Sequence, residues 1–211
     1  MKARVAIACC VLWGSTWVAI KVGLHDLPPL LFAGVRMLLA ATLLAPFALR
    51  AGVLRLPSRA LPEIAAIGLL QIGIPYGMLF VGQQWVPAGL TAMLFATFPV
   101  WLVLLARVLL PDQPLTGRKL TAAALGLAGV GVLELPMLRG GTALPALAPL
   151  GAALVIGGSM VIAFANVLVR SRLRGHAPVV LTFVQVFAGA VLLLARVPGG
   201  RNCDAGRAGA G

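Results

Sequence analysis

Acidic residues are the scarcest chemistry in this chain: five Asp and Glu stand against seventeen Lys and Arg in 211 residues, a formal net charge of +12. Charged residues of both signs amount to only 10%, far below the roughly 25% of a soluble domain. That shortage excludes an ordinary water-soluble globule. Cysteines number three, with Cys9 and Cys10 inside one apolar run and Cys203 near the end, which gives neither a disulfide framework nor a metal-ligand spacing. Both histidines, His25 and His176, fall between apolar runs. There is no HExxH and no pair of acids inside an apolar run, and Gly157-Gly158-Ser159-Met160 lacks the last glycine that an intramembrane serine protease would need. The expectation is therefore no enzyme, no metal and no cofactor. The excess of basic charge could suggest nucleic acid, but no stretch forms a basic arm, so no nucleic-acid partner is expected.

Long apolar runs are what the chain has in abundance. Hydrophobic residues make up 61% and mean hydropathy is +1.03. Seven runs occur at about residues 5–24, 30–49, 62–86, 88–110, 120–135, 147–169 and 179–195, most of them near the ~20 residues that cross a hydrocarbon core of about 30 Å. The chain reads as an all-α polytopic membrane protein whose main partner is the lipid bilayer. The start Met1-Lys2-Ala3-Arg4 resembles a signal peptide. The run behind it holds two tryptophans and ends in Lys21 without a small-residue cleavage site, so it is read as a retained helix. The N-terminus and the gaps after the second, fourth and sixth runs collect eleven Lys and Arg, whereas the alternate gaps hold only Arg139. By the positive-inside rule the N-terminus is cytoplasmic. The Arg preference and the richness in Ala and Gly suggest a bacterial source, hence the cytoplasmic (inner) membrane. Residues 196–211, RVPGGRNCDAGRAGAG, are too poor in apolar side chains to pack and read as a disordered, frame-shifted tail.

A weak internal repeat emerges when Pro29 is laid on Pro178, an offset of 149 residues. Arg36 then falls on Gln185, Ala41 on Ala190, and Leu43-Leu44 on Leu192-Leu193, while Gly14-Ser15 matches Gly158-Ser159. An odd number of spans separates the copies, so they must point in opposite directions, as in the inverted repeats of secondary transporters.

The stretches WGSTWVAIKVGL (13–24), DLPPLLFAGVRMLLAATLL (26–44), VPAGLTAMLFATFPVWLVLLARVLL (86–110), LTGRKLTAAALGLAGVGVL (115–133) and APVVLTFVQVFAGAVLLL (177–194) resemble the EamA-domain proteins of the drug/metabolite transporter superfamily. The resemblance covers about residues 11–195. It implies a family plan of ten helices in two five-helix repeats that move small metabolites or drugs across the cytoplasmic membrane. On that plan residues 1–135 form a complete first repeat, 136–146 a connection and 147–195 two helices of a second, inverted repeat. Three family helices have no counterpart here, and Pro111-Asp112 stands where the family often has Gly-Glu.

Candidate pathway residues are the polar and aromatic exceptions within the runs. Trp13, Trp17 and Lys21 recur every four residues along the first run. The tryptophans are either helix packing or cavity wall. Lys21 either lines the pathway or snorkels to water. Ser15 sits between the tryptophans. Arg36 lies deep enough that it needs a partner, water or a cavity, with Glu134 as a counter-charge for it or for Lys21. Pro75 and Pro99 interrupt the third and fourth runs, as harmless kinks or as the broken helices of a transport site, and Gln71 and Tyr76 offer hydrogen bonds beside Pro75. If Arg36 and Lys21 share a cavity, the substrate is anionic or carboxylate-bearing. The first expectation is a secondary transporter of a small molecule. The alternative is a truncated, non-transporting remnant or packing module. On that alternative the seventh run is left exposed, Gln185 faces lipid or a water-filled gap, and the chain accumulates poorly or forms a homodimer through residues 179–195.

Overall fold

The computed structural model describes residues 2–110 and 144–197, together with the helical positions 117, 121, 124–126, 128, 129 and 132. Among these residues there is helix and no strand. α1 spans Lys2–Asp26 and α2 spans Pro29–Arg50, joined at Pro28, whose fixed backbone angle suits the entry to a helix. α3 covers Leu61–Gly82, α4 Ala88–Leu109, α5 Ala148–Arg172 and α6 Pro178–Ala195. These last four and α2 are long and apolar enough to cross a membrane. α1, at 25 residues, reaches about 37 Å at 1.5 Å per residue. The chain is a multi-pass membrane protein.

Two helices are broken at proline. α3 runs as α-helix over Leu61–Gly68, opens into a π-helical turn at Leu69–Gly73, and resumes at Ile74–Gly82 with Pro75 in its first turn. A proline has no amide hydrogen and its ring crowds the carbonyl four residues back, so the turn before it widens. α4 stops at Phe95 and restarts at Phe98, with Pro99 in the restarted first turn.

α1 to α4 alternate in direction, and contacts at the helix ends sort the connections onto two faces. The Arg172 guanidinium lies 3.7 Å from the Glu63 carboxylate, and Ile64, Ile67, Leu173 and Leu181 pack together with Val53 and Leu56. The arginine-bearing gaps after α2 and after α5 therefore share one face. On the opposite face Lys21 meets the α3–α4 connection and Gly151 meets Gly82. α1 and α5 thus run in opposite directions, as do α2 and α6. This is the inverted arrangement that the repeat implies.

α6 packs along α2 and across α3. The matched alanines Ala41 and Ala190 and the matched pair Met37 and Val186 are all buried in one core cluster with Phe80 and Val155. Close crossings rest on missing side chains, the usual device where lipid supplies no hydrophobic drive. A Cβ on Gly151 would come within 2.6 Å of the Gly82 carbonyl oxygen, and one on Gly189 within 3.1 Å of the Gly73 amide.

This packing corrects the expectation for Gln185. α6 has the largest buried share of the five spans, 44% of its most apolar window. Gln185 is 5% exposed, with its backbone against Gly68, and faces neither lipid nor a water gap. α2 and α3 supply the surface that covers it, so its burial does not depend on helices beyond this chain. Phe187 and Val191 remain as its outward stripe.

Candidate functional site

One cavity of about 300 Å³ lies among α1 to α5, at the small end of the range of roughly 300–1,000 Å³ typical of ligand pockets. α1 contributes Trp13, Thr16, Trp17 and Ile20. These positions fall within an arc of about 100° around a helix that turns 100° per residue. Trp13 remains 67% exposed and forms the mouth, whereas Trp17 is half-buried and packs against Phe95 with ring centroids 5.2 Å apart. Phe95 stacks on Phe98 at 6.1 Å across the break in α4, and both face the cavity. The break turns two successive aromatics onto one wall.

The polar side is built by α2, α3 and α5. Arg36, half-buried on α2, carries the only formal charge among the described lining residues. It has no ion pair or hydrogen bond among the described residues and lies within electrostatic reach of Tyr76. The π-helical turn of α3 places Gln71 at the cavity, and Pro75 and Tyr76 follow on the same side. The Gln71 side-chain oxygen is buried without a hydrogen-bond partner, so the amide nitrogen is its open group. Asn166 on α5 donates its amide to the Ile162 carbonyl at 2.9 Å and leaves its oxygen to the cavity.

Of the residues singled out from sequence, Trp13, Trp17, Arg36, Gln71, Pro75 and Tyr76 thus meet in one place. Lys21, Ser15 and Pro99 do not. Lys21 stands eight residues after Trp13, a rotation of roughly 80° around the helix, which carries it off the cavity face. Its ammonium does not line this cavity. It donates to the carbonyls of Gln83, Gln84 and Val86 at 2.8, 3.1 and 3.1 Å, closing the end of α3 where helix carbonyls lack partners. Ser15 is exposed and donates to the Leu12 carbonyl at 3.2 Å within its own helix. Pro99 shapes the break in α4 without reaching the cavity. Glu134 lies outside the described residues, as do Pro111, Asp112 and residues 198–211.

Sequence reasoning passed over several residues. Phe95, Phe98 and Ile162 are apolar residues in apolar helices and give no contrast, although the aromatics flanking Pro99 were a signal. Gln83 is fully buried and donates to the Trp17 carbonyl at 2.9 Å, so α1 and α3 are tied by a side chain from each to the backbone of the other. Thr97 and Ser159 meet at 3.3 Å between α4 and α5, with the Trp101 indole donating to Thr97 at 3.2 Å.

The arrangement offers an aromatic slot, one cation and a few amide and hydroxyl groups, with no carboxylate, histidine or thiol among the described lining residues. Among the described residues no cluster of potential metal ligands occurs. Such a site can hold a small molecule by stacking and charge.

The sequence profile of the EamA-like transporter family matches residues 3–135. A protein named "Uncharacterized inner membrane transporter YedA" from Escherichia coli (strain K12) is 35% identical over 202 residues, 94% of this chain and 62% of its own length. A "Probable amino-acid metabolite efflux pump" of the same organism is 32% identical over 64% of this chain and 43% of its own length. A "Probable terminal-alkyne amino-acid exporter" from Streptantibioticus cattleyicolor is 34% identical over 58% of this chain and 41% of its own. The chain therefore spans less than two thirds of the length of these relatives. No solved structure gives a significant match.

Proposed function

The chain belongs to the EamA-like transporter family, and from that membership we propose that it is a secondary transporter of a small solute, with the aromatic cavity as its solute site. The observation that carries this reading is the meeting of Arg36, Gln71 and Tyr76 with a wall of Trp17, Phe95 and Phe98 inside otherwise apolar helices. A charge within a membrane span is costly unless it faces protein or a water-filled cavity. Alternating access works by moving one repeat against the other around such a site. The site here lies among helices of both copies, α1 and α2 from the first and α5 from the second. Relatives named for amino-acid metabolite efflux and amino-acid export support cargo of metabolite size. Basic residues gather on the face that holds the gaps after α2 and α5, which supports a cytoplasmic N-terminus in the inner membrane.

The test uses single-cysteine variants of a chain from which Cys9, Cys10 and Cys203 have been removed. Cysteine at Thr16 or Asn166 should react with a water-soluble maleimide, and cysteine at the outward-facing Leu39 or Leu43 should not. In proteoliposomes, saturable uptake from a mixture of labelled small metabolites should disappear in Trp17→Ala at equal protein content. A reactive cavity with no flux for any solute would leave a membrane module that binds without transporting. An unreactive cavity would end the proposal.

A further inference from the structure

The cavity's hydrogen-bonding groups are lopsided. Arg36 contributes a permanent positive charge and five possible N–H donors. Gln71 presents its amide nitrogen because its oxygen is turned inward, and the Tyr76 hydroxyl has no hydrogen bond among the described residues. On the acceptor side stands the Asn166 amide oxygen, and no carboxylate joins it. The two acids among the described residues are engaged elsewhere, Asp26 at 3.0 Å from His25 and Glu63 at 3.7 Å from Arg172. The nearest other cation on α1, Lys21, is spent on three backbone carbonyls and faces away. A cation with no counter-charge among the described residues, beside a surplus of donors, is complementary to one negative group. Trp17, Phe95 and Phe98 line the rest with ring faces and edges.

We infer that the cavity takes an apolar organic monoanion, an aryl- or alkyl-carboxylate, with its carboxylate on Arg36 and its body along Trp17, Phe95 and Phe98. The inference rests on the reading of the cavity as the solute site and adds the sign and number of the charges. A second negative group would find no further cation among the described lining residues. A cationic solute would meet Arg36 at short range in a low-dielectric slot, where like charges repel strongly.

Three isosteric probes separate the possibilities: phenylacetate, phenethylamine and 2-phenylethanol. The purified full chain would be titrated with each in detergent while the fluorescence of its tryptophans is followed, since Trp13 and Trp17 border the cavity. Phenylacetate should quench saturably, with phenethylamine at least tenfold weaker. Arg36→Gln should weaken phenylacetate by roughly tenfold to a hundredfold, the range of a lost charge-assisted bond, and leave the three probes alike. Arg36→Lys should keep the preference for the anion and serves as the check that the site still folds. Phenethylamine binding as tightly as phenylacetate would overturn the inference, as would Arg36→Gln leaving phenylacetate unchanged while Trp17→Ala weakens every probe. In both cases the cavity reading survives. Absence of saturable quenching by any of the three in the unaltered chain would instead remove the cavity reading itself.

Discussion

The two hairpins α1–α2 and α5–α6 share a sequence pattern and run in opposite directions, yet they handle polar residues in opposite ways. In the first copy Arg36 turns toward a cavity and Ser15 is exposed on a helix with few neighbours. In the second copy the matched residues are sealed: Gln185 is 5% exposed against Gly68, and Ser159 is fully buried between α4 and α5. The difference lies in what each copy packs against. α5 and α6 are sandwiched among α2, α3 and α4, whereas α1 touches its neighbours mainly near Trp17, Ile20 and Lys21. The second hairpin is largely core, and the first keeps a face on the cavity. Equivalence in a repeat therefore fixes where a residue sits along the membrane normal and leaves open whether it meets solute or protein.

The most severe way to break this comparison is to give the second copy the charge of the first. Gln185→Arg would place a guanidinium where the cavity does not reach and where α3 crosses at Gly68. A buried arginine at the centre of a span costs about 3 kcal/mol on insertion scales, and overfilling a close crossing adds about 1–3 kcal/mol. We expect almost no folded protein by detergent-extracted yield and by denaturation in mixed micelles. Wild-type stability in this variant would mean that a water-filled gap reaches Gln185 after all.

A smaller contrast tests packing without charge. Gly14 and Gly158 are the matched glycines, and a Cβ on Gly14 would meet nothing within 4 Å, whereas one on Gly158 would lie 3.1 Å from the Pro75 carbonyl oxygen. Leucine at Gly158 should cost about 2 kcal/mol from overpacking. Leucine at Gly14 should be neutral, or stabilising by a few tenths of a kcal/mol through helix propensity. Equal effects in a micelle unfolding titration would show that α1 packs as tightly as α5.

The spans were legible because apolar runs near twenty residues end at arginine, proline or glycine, and each described helix begins or stops within a few residues of the expected run. Much of the cavity was legible for a related reason. Trp13, Trp17, Arg36, Gln71 and Tyr76 stand out against aliphatic neighbours, so contrast alone finds them. Phe95 and Phe98 offer no such contrast. The fate of Lys21 could not be read either. Its partners are backbone carbonyls at 83, 84 and 86, and every residue owns a carbonyl, so no side chain in the sequence announces the bond. Gln185 was misplaced because its cover was assigned to the family helices that have no counterpart here, although the glycines at 68 and 189 that let α3 approach were present in the sequence.

The finest test of the comparison is a hydroxyl removed from each copy. The Ser159 hydroxyl lies 2.7 Å from the Ile156 carbonyl and the Thr97 hydroxyl 2.7 Å from the Leu94 carbonyl, and the two stand 3.3 Å apart. In the interhelical bond one of them therefore gives its single proton across while the other keeps its own carbonyl. Ser159→Ala leaves Thr97 with its own carbonyl and the Trp101 indole, so the net loss should match the average interhelical bond in a membrane protein, about 0.6 kcal/mol. Ser15 donates only within its own exposed turn, and Ser15→Ala should change stability by less than about 0.3 kcal/mol, since alanine also raises helix propensity. A double variant of Ser159→Ala with Thr97→Val would separate coupling from simple loss. If the two substitutions together cost less than their sum, the hydroxyls hold α4 to α5. Strict additivity, or a Ser15 effect as large as that at Ser159, would mean that the bond inside each helix carries the whole contribution and that the second copy gains nothing from its buried hydroxyl.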